Sequence, residues 1–126
     1  FSDDVEKLIE ARRPRLAFSL GAMGSRQHNF YNDAYRRAGY DEDCRLVQRL
    51  WIEGDHQAAA AAVPEEMVTG TNLLGTDAMV KERLRAYRDC GANVVSVDPM
   101  GRSLQERLDP LGRLVQLVKE VSAEGA

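Results

Sequence analysis

The amino-acid sequence predicts an α/β protein that is rich in helices and contains about two short strands. Three observations predict this class. Residues 16–20 form a short apolar run that ends in glycine, a pattern typical of a buried strand that leads into a loop. Residues 76–97 contain a helical pattern, a glycine and a valine-rich run in that order, as in a parallel α/β unit. Most of the remaining chain places apolar residues at helical spacing.

The first predicted helix is short. Asp3 or Asp4 can cap its amino end, because a carboxylate oxygen accepts hydrogen bonds from the free amide groups of the first turn. Pro14 is expected to end the helix, because proline lacks the amide hydrogen that a helix interior needs. Residues 16–20 then form the first strand, and a loop begins after it.

Two helices are expected after this loop. Residues 29–38 form the first of them, which Gly39 ends, and Asp41 can cap the second. The second helix has four apolar residues on one face, so we expect this face, including the indole of Trp51, to be buried. Those four residues are Leu46, Val47, Leu50 and Trp51.

The next helices have clear start and stop signals. Asp55 can cap an alanine-rich segment, whose intrinsic preference for helix is high. Pro64 suits the first position of another helical turn. Residues 76–90 predict a longer helix that Gly91 ends.

A second strand is predicted over residues 93–97, and a long helix follows it. Ser103 and Glu106 have the spacing of a capping box at the start of that helix. An apolar stripe then continues to Val118, and Pro110 is expected to kink the helix or restart it.

The loop after the first predicted strand contains the candidate binding residues. Gly21 allows the backbone to turn sharply, and polar side chains follow at once. The carboxyl end of a buried strand is where α/β enzymes place their ligand-binding residues. The candidates for a substrate or coenzyme pocket are Met23, Gly24, Arg26, His28, Asn29 and Tyr31.

A structural interpretation of the same loop stays open. His28, Asn29 and Tyr31 can instead form the capped first turn of a helix, with the tyrosine ring packed down. Arg26 can pair with an anionic group of a ligand, or it can lie at the surface near Asp33.

Three segments of the chain carry a family resemblance. They read GAMGSRQHNFYNDAYRRAGY at residues 21–40, AVPEEMV at residues 62–68 and NLLGTDAMVKERLRAYRDCGANVVSV at residues 72–97. Together they resemble the C-terminal part of the luciferase-like oxidoreductases, most closely the branch that uses the deazaflavin coenzyme F-420. The resemblance implies a (β/α)8 TIM barrel, which needs about 250 residues. The 126 residues are therefore expected to form one segment, the C-terminal portion of such a barrel.

The resemblance also implies a function. The whole protein would transfer hydride between coenzyme F-420 and a small organic substrate; the alternative is an FMN-dependent monooxygenase. No catalytic residue is assigned in this chain. In the whole protein Arg26 and Asn29 would face the substrate or coenzyme, and Phe30 would pack inward beneath them. Because most coenzyme-binding loops would lie upstream, the chain alone is expected to bind no coenzyme and to be inactive.

A function of another class stays open, that of a non-catalytic helical module that works as a homo-oligomer. Unpaired strand edges and uncovered apolar residues predict self-association whichever function is correct. The sequence begins at Phe1 without a methionine, which predicts a processed or excised piece of a longer protein.

Composition narrows the classes of partner. The chain is 44% hydrophobic and 29% charged, which is typical of a globular protein. Its formal net charge of -3 argues against nucleic acid or an anionic membrane as a partner. No apolar run approaches the roughly 18 to 20 residues of a membrane helix, and no secretory leader pattern is present, so we expect a cytoplasmic protein.

The two cysteines, Cys44 and Cys90, both lie in helical patterns. We expect two buried free thiols rather than a disulfide, as is usual in a cytosolic protein. Together with His28 and His56 they lack the close spacing of zinc ligands, so no metal site is expected.

Overall fold

A computed structural model describes residues 1–125, and the chain forms two compact units. One unit is the continuous segment Asp4–Asn72, and the other combines Phe1–Asp3 with the chain from Leu73 onward. Residues 1–125 are helical or irregular and contain no strand. The helices of the expected α/β fold are therefore present, whereas the two predicted strands are not.

The unit Asp4–Asn72 is built around its first helix. Its elements are α1 (Val5–Ala22), α2 (Phe30–Tyr35), a π-helical turn (Arg36–Tyr40), α3 (Asp41–Ile52), α4 (His56–Ala61) and α5 (Glu65–Thr71). Helices α3, α4 and α5 all contact α1. The apolar core of the unit lies between these helices. Its buried residues are Ile9, Leu16, Ala17, Leu20, Cys44, Val47, Ala59, Val63, Met67 and Val68.

The predicted first strand is the second half of helix α1. Asp4 caps this helix as predicted, because its carboxylate accepts a hydrogen bond from the Lys7 amide at 3.2 Å. Pro14 lies inside the helix and does not end it, contrary to the prediction. Leu16 and Leu20, four residues apart, are both buried, which is helical spacing. The strand prediction was wrong because a short apolar run does not by itself distinguish a strand from a buried helical segment.

Helix α2 is shorter than the helix predicted over residues 29–38. It begins after its cap, Asn29, and passes directly into the π-helical turn. Gly39 lies in that turn with a φ of +109°, a left-handed conformation that favours glycine. The predicted end of the helical segment at Gly39 is therefore confirmed as a break in the regular backbone.

The carboxylate of Asp41 joins the π-helical turn to α3. Asp41 is the first residue of α3 and not its cap, which corrects the prediction. It pairs with Arg36 and, at 2.8 Å, with Arg45. Hydrogen bonds from Arg45 and Arg36 hold the pKa of Asp41 below its usual value, and the bond to Asp41 raises the pKa of Arg36. The charges of these residues are therefore satisfied within the fold.

The buried face of α3 overlaps the predicted face but includes Cys44 in place of Leu46. Helix α3 buries Cys44 and Val47, whereas Leu46 is 36% exposed and Trp51 is only half-buried. The prediction that the Trp51 ring is largely buried is therefore confirmed only in part. Trp51 shares a face with Cys44 and Val47, and it lies at the carboxyl-terminal end of that face.

Trp51 packs against three partners. Its indole lies directly on Gly21 of α1, where an added Cβ would come within 2.3 Å of the indole Cγ. The ring of Phe18 meets the indole edge-on, with 5.7 Å between centroids, and the ring of His56 stacks on it at 3.8 Å. The close contact between α1 and α3 therefore depends on the absence of a side chain at position 21.

The start of the first of the two short helices that follow agrees with the prediction, and the start of the second differs from it by one residue. Asp55 caps α4 by accepting a hydrogen bond from the Ala58 amide at 3.0 Å. Pro64 lies immediately before the first residue of α5, in an extended conformation. Asp55 is therefore a cap as predicted, whereas Pro64 is the N-cap of α5 and not its first residue.

The other unit consists mainly of α6 (Asp77–Asp89) and α7 (Leu104–Ala123). Gly91 follows α6 in the left-handed conformation, with a φ of +92°, and Ser103 and Glu106 form the predicted capping box of α7. Pro110 lies within α7, which runs on past it. A small apolar core joins the two helices. It comprises Val80, Leu84, Leu117 and Val121.

The predicted second strand is an irregular segment. Residues 92–100 have no regular structure, and Val94 is 83% exposed. A strand needs a neighbouring strand to satisfy its backbone groups, and residues 1–125 provide none. Arg107 of α7 holds the end of this segment by donating to the Pro99 carbonyl and to the Asp98 carboxylate, both at 3.2 Å. Of the helix–strand unit expected from the sequence, the helix is therefore present and the strand is not.

Helix α7 has a second apolar stripe that faces solvent. The exposed residues are Leu104, Leu108, Val115 and Val118. They recur at intervals of three, four or seven residues and therefore lie along one side of the helix. Uncovered apolar residues were expected from the sequence, and α7 carries them on this side.

Candidate functional site

The candidate loop, residues 23–29, connects α1 to α2 and is closed on itself. The Ser25 amide donates to the His28 carbonyl at 3.0 Å, and the His28 amide donates to the Ser25 hydroxyl at 3.0 Å. Gly24 has a φ of +126°, and an added Cβ would lie 2.3 Å from the His28 carbonyl oxygen. Only glycine fits this position, so Gly24 determines the shape of the loop.

The tight backbone of the loop carries side chains that point to solvent. Arg26 and His28 are exposed, and Met23 and Tyr31 are 41% and 43% exposed. These four candidates therefore lie on the same loop or on the first turn of α2 that follows it. They supply a cation, an imidazole, a phenol and a thioether, which suit the binding and orientation of a polar ligand.

Asn29 lies beneath these side chains and is 3% exposed. Its Oδ1 accepts a hydrogen bond from the Asn32 amide at 3.0 Å, which makes it the N-cap of α2. Its Nδ2 donates to the Ser19 and Leu20 carbonyls of α1 at 3.1 and 2.9 Å. The capped-turn interpretation of Asn29 thus describes the contacts in the structure, and its role as a pocket residue stays a prediction.

Asn32 is a second buried amide, and the sequence did not indicate its role. It is 3% exposed, and its Nδ2 donates to the Leu20 carbonyl at 3.1 Å and to the Cys44 carbonyl at 3.0 Å. Leaving a buried carbonyl without its donor costs about 1–3 kcal/mol, so these contacts are structurally important. The one sequence signal was its position three residues after an asparagine cap. That spacing does not indicate a long-range bond to α3.

Phe30 and Tyr31 differ from the expectations for them. Phe30 is 73% exposed and does not pack inward, and Tyr31 is not packed down as the alternative required. The two rings meet edge-on, with 5.8 Å between centroids. Both residues follow the cap at the exposed start of α2, and the buried position in this turn is taken by Asn32.

Arg26 does not pair with Asp33, the carboxylate near which the sequence placed it. The Asp33 carboxylate lies 3.6 Å from the Arg36 guanidinium instead. Arg26 is three residues before the cap of α2, whereas Arg36 is one helical turn after Asp33 on the same side of the helical segment. The exposed guanidinium of Arg26 is thus left to face solvent.

The two cysteines have different environments. Cys44 is fully buried, and burial raises the pKa of its thiol to about 11, with a further contribution from the charge of Asp43. Cys90 is exposed, which corrects the prediction that both thiols are buried, and its thiol donates to the Tyr87 carbonyl at 3.1 Å. Both are free thiols, as predicted. In residues 1–125 no three His, Cys, Asp or Glu side chains converge on a point that could hold a metal ion.

No helix in the described part of the chain is both long enough and apolar enough to cross a membrane. No solved structure gave a significant match to the chain.

Comparison with known proteins places the loop within a family. The family model described as luciferase-like monooxygenase matches residues 3–93, which include the whole candidate loop. The chain belongs to the luciferase-like monooxygenase family. It is also 29% identical, over 96 residues, to a protein of Mycobacterium tuberculosis that has the provisional name coenzyme F-420-dependent oxidoreductase. That match covers 76% of this chain, but the chain spans only 28% of the length of the relative.

Proposed function

We propose that this chain is the C-terminal portion of a cytoplasmic luciferase-like oxidoreductase that transfers hydride between the deazaflavin coenzyme F-420 and a small organic substrate. The observation that carries the proposal is the similarity to a relative named for this coenzyme, within a family match that spans the candidate loop. The family implies a TIM barrel, which needs about 250 residues, so most of the barrel is supplied by other residues.

The side chains of the loop fit a role in binding rather than in chemistry. When bound, a deazaflavin or flavin supplies the hydride donor or acceptor. Arg26 offers a positive charge to an anionic group, and His28 and Tyr31 offer hydrogen-bond donors. Met23 adds an exposed apolar side chain on the same loop. We therefore assign these residues, with Asn29, to a pocket that orients the substrate or coenzyme.

This assignment explains why the chain alone is expected to be inactive. A single loop on a helical unit exposes its side chains on one side and cannot enclose a coenzyme. The exposed segment 92–100 and the exposed stripe of α7 are surfaces that a barrel would cover.

Two alternatives remain open to experiment. FMN in place of coenzyme F-420, with monooxygenase chemistry, agrees equally well with the family match. A non-catalytic helical homo-oligomer is favoured by one observation, the exposed apolar stripe of α7, which a second copy of the chain could cover.

The test is a titration of two proteins with oxidised coenzyme F-420 and, separately, with FMN. One protein is the product of the complete reading frame, and the other is residues 1–126. We expect the complete protein to quench the fluorescence of coenzyme F-420 with micromolar affinity, and the isolated chain to leave it unchanged. A complete protein that binds FMN alone supports the first alternative. A complete protein that binds neither coenzyme refutes the proposal, and tight binding by residues 1–126 would show that the binding residues have been misplaced.

A further inference from the structure

The last turn of α1 is held by residues that come after it in the chain. The carbonyls of residues 19–22 at this end have no amide partner further along the helix. Asn29 donates to the first two of them, and Asn32 donates to the Leu20 carbonyl as well. The candidate loop therefore leaves α1 and is fixed back onto the end of the same helix.

Asn32 extends this connection to another helix. The same Nδ2 group that bonds Leu20 also donates to the Cys44 carbonyl of α3, at 3.0 Å. One residue beyond Leu20, Gly21 is in direct contact with Trp51 of α3. The base of the loop is thus held against α3 through a polar contact and an apolar one.

The orientation of both amides is determined by their partners. Every acceptor around the two Nδ2 groups is a backbone carbonyl, and the Asn29 Oδ1 receives the Asn32 backbone amide. A reversed amide would place oxygen against oxygen at these contacts. Asn32 therefore fixes Asn29 through its backbone and fixes Leu20 through its side chain, and Asn29 is the last residue of the loop.

We propose that Asn32 is a positioning residue for the pocket: its buried amide holds the base of the loop in the conformation that presents Arg26 and His28 to the coenzyme. Asn32 does not touch the ligand in this role. The inference rests on the proposed function, because it assigns a purpose to the fixed shape of a loop whose ligand is proposed above.

The experiment uses the complete protein with Asn32→Leu, which removes both N–H donors and keeps the branched shape of the side chain. The matched control is Asn72→Leu, since Asn72 lies in the same unit, donates to the Val68 carbonyl at 2.9 Å and accepts from Arg12 at 2.7 Å, away from the loop. Two quantities are measured: the rate of tryptic cleavage after the exposed Arg26, and the Kd for oxidised coenzyme F-420 or FMN.

Cleavage requires the loop to open, so it reports the fixed conformation without any ligand. We expect Asn32→Leu to raise the cleavage rate after Arg26 and the Kd at least tenfold, and Asn72→Leu to change neither by more than about twofold. If Asn32→Leu does not fold, Asn32→Ser, which keeps one donor, is expected to show the same changes at smaller size.

A double-mutant cycle with Arg26→Ala separates positioning from general destabilisation. If Asn32 acts through Arg26, then Asn32→Leu raises the Kd far less in the Arg26→Ala protein than in the parent. Equal effects in both backgrounds overturn the inference, and so does an Asn32→Leu protein that behaves like the control. If the parent binds neither coenzyme, the proposed function fails and the pocket role of Asn32 fails with it, whatever the cleavage rates are.

Discussion

The contact between Gly21 and Trp51 predicts that replacing glycine by alanine lowers the stability of the fold at position 21 and raises it at position 112. In a free helix, alanine in place of glycine is favourable by about 1 kcal/mol, because it restricts the unfolded chain. At position 21 the new methyl group would lie 2.3 Å from Cγ and 2.4 Å from Cβ of Trp51. Those atoms are the fixed root of the indole, so α1 and α3 must move apart.

Overpacking of this kind costs about 1–3 kcal/mol, and the cost here should lie at the upper end because the clash is with atoms next to the backbone. After the gain in helix preference is subtracted, we expect Gly21→Ala to lower the free energy of unfolding by about 1–2 kcal/mol. For a unit of this size that corresponds to a fall in Tm of roughly 4–16 °C.

The matched control is Gly112→Ala in α7, where an added Cβ meets nothing within 4 Å. In this variant the free energy of unfolding is expected to rise by up to about 1 kcal/mol. Urea unfolding of the chain, followed by far-UV circular dichroism and by the fluorescence of Trp51, its single tryptophan, measures both. A Gly21→Ala protein as stable as the parent would mean that the indole is not seated on α1.

Three further predictions concern the thiols, the loop and the exposed stripe. A thiol reagent at pH 8 should label the exposed Cys90 in the folded chain and leave the buried Cys44 unlabelled. Burial raises the pKa of Cys44 from about 9 to about 11. The stability that its neutral thiol contributes is therefore present below pH 9 and is lost as the pH rises to 11. In the complete protein, Arg26→Ala should lower kcat/KM at least tenfold, equivalent to roughly 1.4 kcal/mol, with little change in Tm, and an unchanged kcat/KM would remove Arg26 from the pocket. Light scattering of the isolated chain at tens of micromolar should show a dimer or larger species that Leu108→Glu disrupts; a monomeric parent would show that the stripe does not drive association.

The helix caps were predictable because they are local signals. Asp4, Asp55 and Ser103 each accept a hydrogen bond from an amide three residues later, and no distant residue decides this. Gly91 follows its helix for an equally local reason, since only glycine enters the left-handed conformation without strain. The family was recognisable from the sequence for the same reason, because its motifs are continuous segments.

The errors have tertiary causes. Residues 16–20 are apolar enough for a strand, and their packing against α3 and α4 makes them helical. Residues 93–97 have the composition of a strand but no partner in residues 1–125. Asn32 was missed because its significance depends on the Cys44 carbonyl, twelve residues away, which no spacing rule connects to it.

The exposed segment around Val94 also affects the tendency of the isolated chain to aggregate. A short run of valines without charge, exposed and unpaired, is a template for pairing between molecules. Asp98 and Pro99 follow it directly, and a charge and a residue without an amide hydrogen are the features that natural edge strands use against aggregation. We therefore expect residues 93–97 to favour aggregation of the isolated chain, and Asp98 and Pro99 to limit it.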